Sequence, residues 1–200
     1  MSRAGNIARR SFLIGSAAIA GGVAIGTYLA KRSIPNPLLD TLADGEAAIT
    51  PYVKIDPEGI TLITPRADKG QGAYSIQANL IAEELDINPE NAFITPGLPG
   101  PAYYNGAVLD EGVPFPAYDQ GAVAETLRSF MSVPAKLFQL QITGGSSTVP
   151  DGYVKLRMAG AVARETLKEA VSQKAGIPRS ALKTENGHVI LPTGERIAYT

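Results

Sequence analysis

Residues 52–87, "YVKIDPEGITLITPRADKGQGAYSIQANLIAEELDI", change from strand-like to helix-like spacing and decide the fold prediction. Apolar and polar residues alternate in the first half, around the turn-forming residues 56–59. From Ala73 onward, the apolar residues recur at helical spacing and share one face. These residues are Ile76, Leu80, Ile81 and Leu85. The stretch predicts a β-hairpin followed by an amphipathic helix, which Asn88 and Pro89 end.

The loop between hairpin and helix places Gly70 and Gly72 on either side of Gln71. A simple turn needs one glycine, whereas two glycines around a polar side chain let a ligand approach the backbone closely. Because a helix follows, free N–H groups and the positive end of the helix dipole would suit a phosphate or another anion. An ordinary tight turn explains the same residues and remains an alternative.

A second polar, glycine-containing loop stands before the longest predicted helix. It consists of Gly144, Gly145, Ser146, Ser147 and Thr148. Together, the two loops could clamp one extended cofactor that carries phosphate, although the hydroxyl residues could equally be a helix N-cap. Neither loop has the spacing of a P-loop or of the dinucleotide-binding fingerprint.

The remaining body of the chain predicts an α+β domain of short β-hairpins and amphipathic helices. A short strand is expected near residues 91–98, and residues 96–118 form a long, tyrosine-containing loop. A helix is expected at 119–133, with Val123, Leu127 and Phe130 on one face. Residues 136–143 form a strand or an irregular entry to the next motif. A final β element occupies 181–200, with its first turn at Asn186-Gly187.

The long helix that follows the second loop has a predicted apolar side. Its members are Val154, Met158, Ala161, Val162 and Leu167. Gly176 and Pro178 are expected to end this helix.

Composition excludes several classes of function. The chain has 200 residues and 44% hydrophobic residues, enough for one domain with a core. Its formal net charge of -1 gives little support to nucleic-acid binding. It has no cysteine, which excludes disulfides, zinc–thiolate sites and iron–sulfur ligation within the chain. The single histidine, His188, excludes a histidine-rich metal cluster.

Residues 1–32 have the pattern of an export signal or a membrane anchor. Arg9 and Arg10 precede Phe12, and the run from Phe12 to Ala30 carries no charge. The arginine pair resembles a twin-arginine signal, which predicts export of the folded protein to the periplasm and, if uncleaved, an inner-membrane anchor. A plain transmembrane helix is the alternative. Residues 33–50 are interpreted as a linker, and 51–200 as the folded domain.

Several blocks occur in a recognisable order along the domain. "LPGPAYYN" (98–105), "TGGSSTVPDGYVKLRMAGAVARETL" (143–167) and "ALKTENGHVILPTGERIAY" (181–199) follow the opening stretch. The order resembles the N-terminal part of the molybdopterin-binding subunit of the xanthine dehydrogenase/aldehyde oxidase family. Within that family it is most similar to the group of isoquinoline 1-oxidoreductase β subunits and periplasmic aldehyde dehydrogenases. Residues 51–200 would then be part of a molybdopterin-binding domain.

The resemblance implies a molybdenum–molybdopterin cofactor, in its cytosine dinucleotide form. It assigns Gly70, Gln71 and Gly72 to contacts with the molybdenum cofactor. It assigns the second loop, residues 144–148, to the pterin or its nucleotide extension. Family members commonly have Glu-Met before Gly-Gln-Gly, whereas this chain has Asp68 and Lys69.

The resemblance also implies a molybdenum-dependent oxidoreductase that acts on an aldehyde or N-heterocycle. Its expected partners are an iron–sulfur electron-transfer subunit and the remainder of the molybdopterin-binding subunit. The general-base glutamate of the family lies near the C-terminus of much longer chains, so no catalytic residue is expected here and some apolar helix faces should be uncovered. The alternative is a non-catalytic exported module for anion binding, cofactor binding or assembly.

Overall fold

The hairpin and helix predicted from residues 52–87 are confirmed in a computed structural model, which describes residues 32–200. Strand β2 (Val53–Asp56) pairs antiparallel with β3 (Gly59–Thr64), and helix α1 (Ala73–Leu85) follows. The chain then returns to β4 (Phe93–Pro96), which pairs parallel with β3. A parallel pair requires a crossover connection, and α1 provides it.

The segment expected to be a linker contributes to the same sheet. A 3₁₀ helix spans Pro37–Thr41, and β1 (Ala47–Thr50) pairs antiparallel with β2. The sheet has the order β1-β2-β3-β4. Almost every residue of β3 is buried, which makes this strand the centre of the core. The predicted signal or anchor helix at 1–32 lies outside the described residues, apart from its last position.

Helix α3 (Thr148–Ala175) packs against α1 with the backbones in close contact. A Cβ added to Gly160 would lie under 3.0 Å from the Ile81 carbonyl oxygen. Small residues therefore form the buried side of α3: Gly152, Ala159, Gly160 and Ala163, together with Leu156. The packed helix pair and the sheet with its buried strand β3 together give the domain a mixed α+β architecture.

The predicted apolar side of α3 is largely wrong, because the helix buries its small residues. Val154, Met158 and Val162 are exposed instead. A smaller error concerns α1, where Ile76 is predicted on the same apolar face as Ile81. Ile76 is exposed, whereas Gln77 and Ile81 are buried.

Helix α2 (Ala122–Leu137) begins later than predicted and continues through Pro134. Two 3₁₀ helices precede it within the predicted long loop, at Pro101–Tyr103 and Gly106–Gly112. Its buried residues are only Ala124 and Ala135. Residues 138–143 form no strand, so the irregular alternative is correct there.

The C-terminal β element is confirmed as a small antiparallel sheet. It consists of β5 (Lys183–Glu185), β6 (His188–Ile190) and β7 (Arg196–Ala198). Asn186 and Gly187, both with positive φ, form the turn between the first two strands. None of the helices in residues 32–200 is both long and apolar enough to cross a membrane.

Candidate functional site

A buried ionic cluster joins the end of β3 to the first turn of α3. The Arg66 guanidinium donates to Asp151 Oδ2 at 2.7 Å and to the carbonyls of Tyr103 and Tyr104 at 2.8 and 2.9 Å. The side chains of Arg66 and Asp151 are only 2% and 6% exposed. This pair therefore fixes the position of α3 relative to the β3 end, from which the first glycine loop departs.

Lys155 extends this cluster along α3. Its Nζ donates to Asp151 Oδ1 at 2.7 Å and to the Tyr104 carbonyl at 2.9 Å, and it lies 4.2 Å from the Tyr104 ring centroid. Burial lowers the pKa of Lys155, and the neighbouring Asp151 carboxylate opposes that shift. Gly106 N–H completes the cluster by donating to Asp151 Oδ1 at 2.7 Å.

A second polar network holds the loop at residues 144–148. The buried Asn105 side chain donates to Ser147 Oγ and to the Ile142 carbonyl, both at 2.7 Å. Ser147 Oγ in turn donates to the Gly144 carbonyl at 2.6 Å. Ser147 occupies the N-cap position of α3, but its side chain makes no capping bond. Its hydroxyl shapes the loop instead of capping the helix.

The remaining residues of the second loop are open to solvent or partly so. Gly144, Gly145 and Ser146 are exposed, and Thr148, half-buried, begins α3. Gly145 and Ser146 both have positive φ, at 56° and 51°. The loop is therefore a tight turn with an accessible outer surface.

The structure brings the two predicted loops side by side. Ala67 N–H, just before the first loop, donates to Thr143 Oγ1, just before the second, at 2.9 Å. The two residues are 76 positions apart in sequence. Both loops thus start from one hydrogen-bonded point, and each leads into a helix of the packed α1–α3 pair.

The first loop does not have the free N–H groups expected from its sequence. Asp68 Oδ1 accepts from Gly70 N–H at 2.7 Å, and Asp68 Oδ2 accepts from Tyr74 N–H at 2.8 Å. Backbone donation, first from Tyr74 and then from Gly70, lowers the pKa of Asp68. The chain's own carboxylate therefore occupies the anion position at the start of α1, and the expectation of free N–H groups there is wrong.

Gln71 is folded back onto its own loop. Its Oε1 accepts from Lys69 N–H at 2.5 Å, and its Nε2 donates to the Ala67 carbonyl at 2.8 Å. Gly70 and Gly72 are exposed, with φ of +93° and +77°, and a Cβ at either would meet nothing within 4 Å. The outer surface of this loop is thus accessible to a ligand along its backbone.

A cleft of about 870 Å³ opens beside the second loop. Gly145, Ser146 and Ser147 line it, as do Tyr104 and Lys155, whereas residues 70–72 are not among its lining residues. Of the tyrosines in the predicted long loop, Tyr104 lines the cleft, Tyr103 is buried and Tyr118 is exposed.

The lining of this cleft carries charges of both signs. Asp110, Glu111 and Glu125 line it, as do Arg128 and Lys155. Burial raises the pKa of Asp110, against an opposing effect of Arg128. Glu111 Oε1 lies 3.4 Å from the position that a Cβ on Gly145 would take. A ligand at Gly145 would therefore meet the Glu111 carboxylate, which disfavours a bare phosphate at that residue.

Sequence reasoning missed the residues that shape this region. Arg66 and Asp151 are 85 positions apart, and no local pattern links them. A local signal for Asp68 was present, because an aspartate just before a helix commonly accepts from its first N–H groups. Within residues 32–200, no group of three or more His, Asp or Glu side chains could hold a metal ion.

Comparison with known proteins gives one weak similarity. No family model matches the chain. The chain is 24% identical, over 197 residues, to an isoquinoline 1-oxidoreductase subunit beta from Brevundimonas diminuta. The match covers 96% of this chain but 21% of that protein, so the chain spans about a fifth of the relative's length. The relative is an oxidoreductase subunit, and this chain is distantly similar to its matched part.

Proposed function

We propose that this chain is the N-terminal part of an exported molybdenum hydroxylase subunit that holds a molybdopterin cofactor with its two glycine loops. The distant similarity to an oxidoreductase subunit supports the oxidoreductase class. The molybdenum cofactor, its cytosine dinucleotide form and the iron–sulfur partner are proposed from the family resemblance that the motif order carries. The periplasmic location is proposed from the N-terminal arginine pair. The whole subunit would oxidise an aldehyde or an N-heterocycle.

The observation that carries this proposal is the hydrogen bond between Ala67 N–H and Thr143 Oγ1. Two loops that are far apart in sequence start from this one point. An extended ligand could therefore contact both loops without a change in the packing of α1 and α3. The shared starting point of the two loops favours one common ligand over two unrelated tight turns.

The residues present fit the cofactor in part. Gly70, Gly72 and Gly144 leave open space beside the backbone, into which a flat ring system could approach closely. The Gln71 amide could donate to and accept from a neutral polar edge after releasing its contacts with Ala67 and Lys69. A phosphate fits poorly at the start of α1, because the Asp68 carboxylate is bound there. The first loop therefore suits an uncharged part of the cofactor.

The chain's own contribution to the reaction would be binding and orientation. When bound, the cofactor supplies the two-electron oxidation in which a substrate C–H and water become C–OH, two protons and two electrons. The electrons would leave through the iron–sulfur partner. Gln71 would orient the cofactor from one side, while Arg66 and Asp151 keep the second loop in register by fixing the start of α3. No residue of this chain is assigned to proton transfer with substrate.

The test is to replace Gln71 in the product of the complete coding sequence, purified with its partner subunit. We expect Gln71→Ala to lower the molybdenum content, measured by inductively coupled plasma mass spectrometry, while circular dichroism stays unchanged. Gln120→Ala, another exposed glutamine outside both loops, is the matched control. Wild-type protein without molybdenum would refute the proposed function. Equal molybdenum content in Gln71→Ala and wild type would refute the assignment of Gln71.

A further inference from the structure

Helix α2 presents an apolar seam to solvent. Val123, Leu127, Phe130 and Leu137 are 66%, 37%, 71% and 41% exposed. With Pro134, these residues recur at alternating spacings of four and three, which places them on one face. The stripe extends over about 21 Å, at 1.5 Å per residue. The described residues leave Val123 and Phe130 mostly uncovered and cover Leu127 and Leu137 only in part. The spacing of the seam is that of a helix that packs against another helix.

The opposite side of α2 already has its contacts. Arg128 donates to the carbonyls of Asp119 and Pro116, and to Glu125 within the helix. Ser129 and Ser132 face the cleft. Only Ala124 and Ala135 are buried, so α2 adds little large apolar area to the core. The large side chains of α2 are thus available for a partner rather than used within the domain.

We infer that the α2 seam, Val123, Leu127, Phe130 and Leu137, is the docking surface for a helix from the remainder of the same subunit. The relative aligns with 96% of this chain yet is about five times longer, so its matched part lies within a much larger protein. The inference rests on the part of the proposed function that makes this chain one segment of such a subunit. The four–three spacing of the seam is that of helix–helix packing, which favours an apolar helix face as the partner.

Two other occupants fit the seam less well. A membrane-surface helix is rich in Lys and Arg on its polar face, whereas α2 contains only Arg128 and Lys136. A second copy of the chain would bury four partly exposed side chains on each partner. That area falls short of the roughly 800 Å² per partner of a typical stable interface.

The cysteine-free sequence allows a direct accessibility test. Phe130→Cys and the matched control Gln173→Cys, at an exposed polar position of α3, are made separately in the product of the complete coding sequence. Each protein is treated with a maleimide, and the label is located by peptide mass spectrometry. We expect Cys at position 130 to react about tenfold or more slowly than Cys at 173, because opening of a docked helix must precede labelling.

Each alternative outcome has a distinct signature. Equal labelling rates at the two positions overturn the inference, including the case of a product that ends at Thr200. If the cysteine at position 130 is labelled slowly only at high protein concentration, the seam binds a second copy of the chain. If it is labelled slowly only in the presence of phospholipid vesicles, the seam binds a membrane surface. Either result also overturns the inference. Protection at position 130 in a protein without molybdenum would refute only the proposed function.

A charge at the same position gives a second measurement. Phe130→Glu should lower the melting temperature of the complete protein, because it buries a carboxylate in the docked seam. Gln173→Glu should leave the melting temperature unchanged, and Phe130→Leu should stay close to wild type. A Phe130→Glu protein as stable as the Gln173→Glu control would contradict docking at this seam.

Discussion

Replacing Gly160 with alanine should separate the two helices that hold the domain together. An added Cβ at Gly160 would lie under 3.0 Å from the Ile81 carbonyl oxygen and 3.1 Å from the Leu85 nitrogen. Both are backbone atoms of α1, so no side-chain rotation can relieve the overlap. The helices must move apart by about 1 Å, a gap that forfeits a quarter to a half of each dispersion contact across it.

The size of the effect follows from two opposing contributions. Overpacking of a close contact typically costs about 1–3 kcal/mol and occasionally more, and this site lies at the high end because backbone meets backbone. Replacing glycine with alanine inside a helix raises the free energy of unfolding by about 1 kcal/mol, because alanine has the higher helix propensity. The expected net loss of stability is about 2 kcal/mol, which corresponds to a drop of about 4–8 °C in melting temperature for a domain of this size.

The matched control is the same substitution elsewhere in α3. A Cβ at Gly152 would meet Leu156 Cδ1 at 3.0 Å, the far end of a flexible side chain. Gly152→Ala should therefore change stability by less than about 1 kcal/mol in either direction. Urea unfolding followed by circular dichroism measures both variants. A Gly160→Ala protein at least as stable as wild type would refute the close α1–α3 contact.

Two further predictions concern charged groups. Asp151→Asn should lower the free energy of unfolding, measured in urea, by about 3–5 kcal/mol, because it leaves the buried Arg66 cation uncompensated. The control Glu165→Gln, in a partly exposed surface network, should lower it by less than about 1 kcal/mol. Equal losses in the two variants would contradict the buried pair. Asp68→Ala should lower the melting temperature at neutral pH by removing the acceptor of Tyr74 N–H. Because the folded-state pKa of Asp68 is lowered, its stabilisation is present above the ordinary value of 3.8 and is lost as pH falls through the lower folded value. The two melting curves should therefore converge in acid, and a difference that persists there would contradict the assignment.

Local pattern sufficed for elements whose residues are close in sequence. The alternation around Val53 and the helical spacing from Ala73 predicted the hairpin and α1, because a few neighbouring residues determine each of them. The turn at Asn186-Gly187 was predictable for the same reason. The parallel pairing of β3 with β4 was not predicted, since a short strand carries no signal for its neighbour.

The local sequence pattern failed where a neighbouring element decides which face of a helix is buried. The large residues of α3, such as Met158, indicated a core face, but the close approach at Gly160 selects the small residues instead. On α2, Val123, Leu127 and Phe130 do lie on one face, as predicted, yet this face is exposed within residues 32–200. At the candidate site, the proximity of the two loops depends on Ala67 and Thr143, whose contact no spacing rule could predict.

The Asp68 carboxylate competes with any dissolved anion for the N–H groups at the start of α1. It lies two residues before Gly70 in the chain and accepts a hydrogen bond from the Gly70 N–H. Attachment through so short a segment corresponds to an effective concentration of at least millimolar order. A dissolved anion would have to exceed that value merely to compete for the same N–H groups. A ligand can displace Asp68 only if additional contacts elsewhere, such as at the neighbouring loop, contribute the missing free energy.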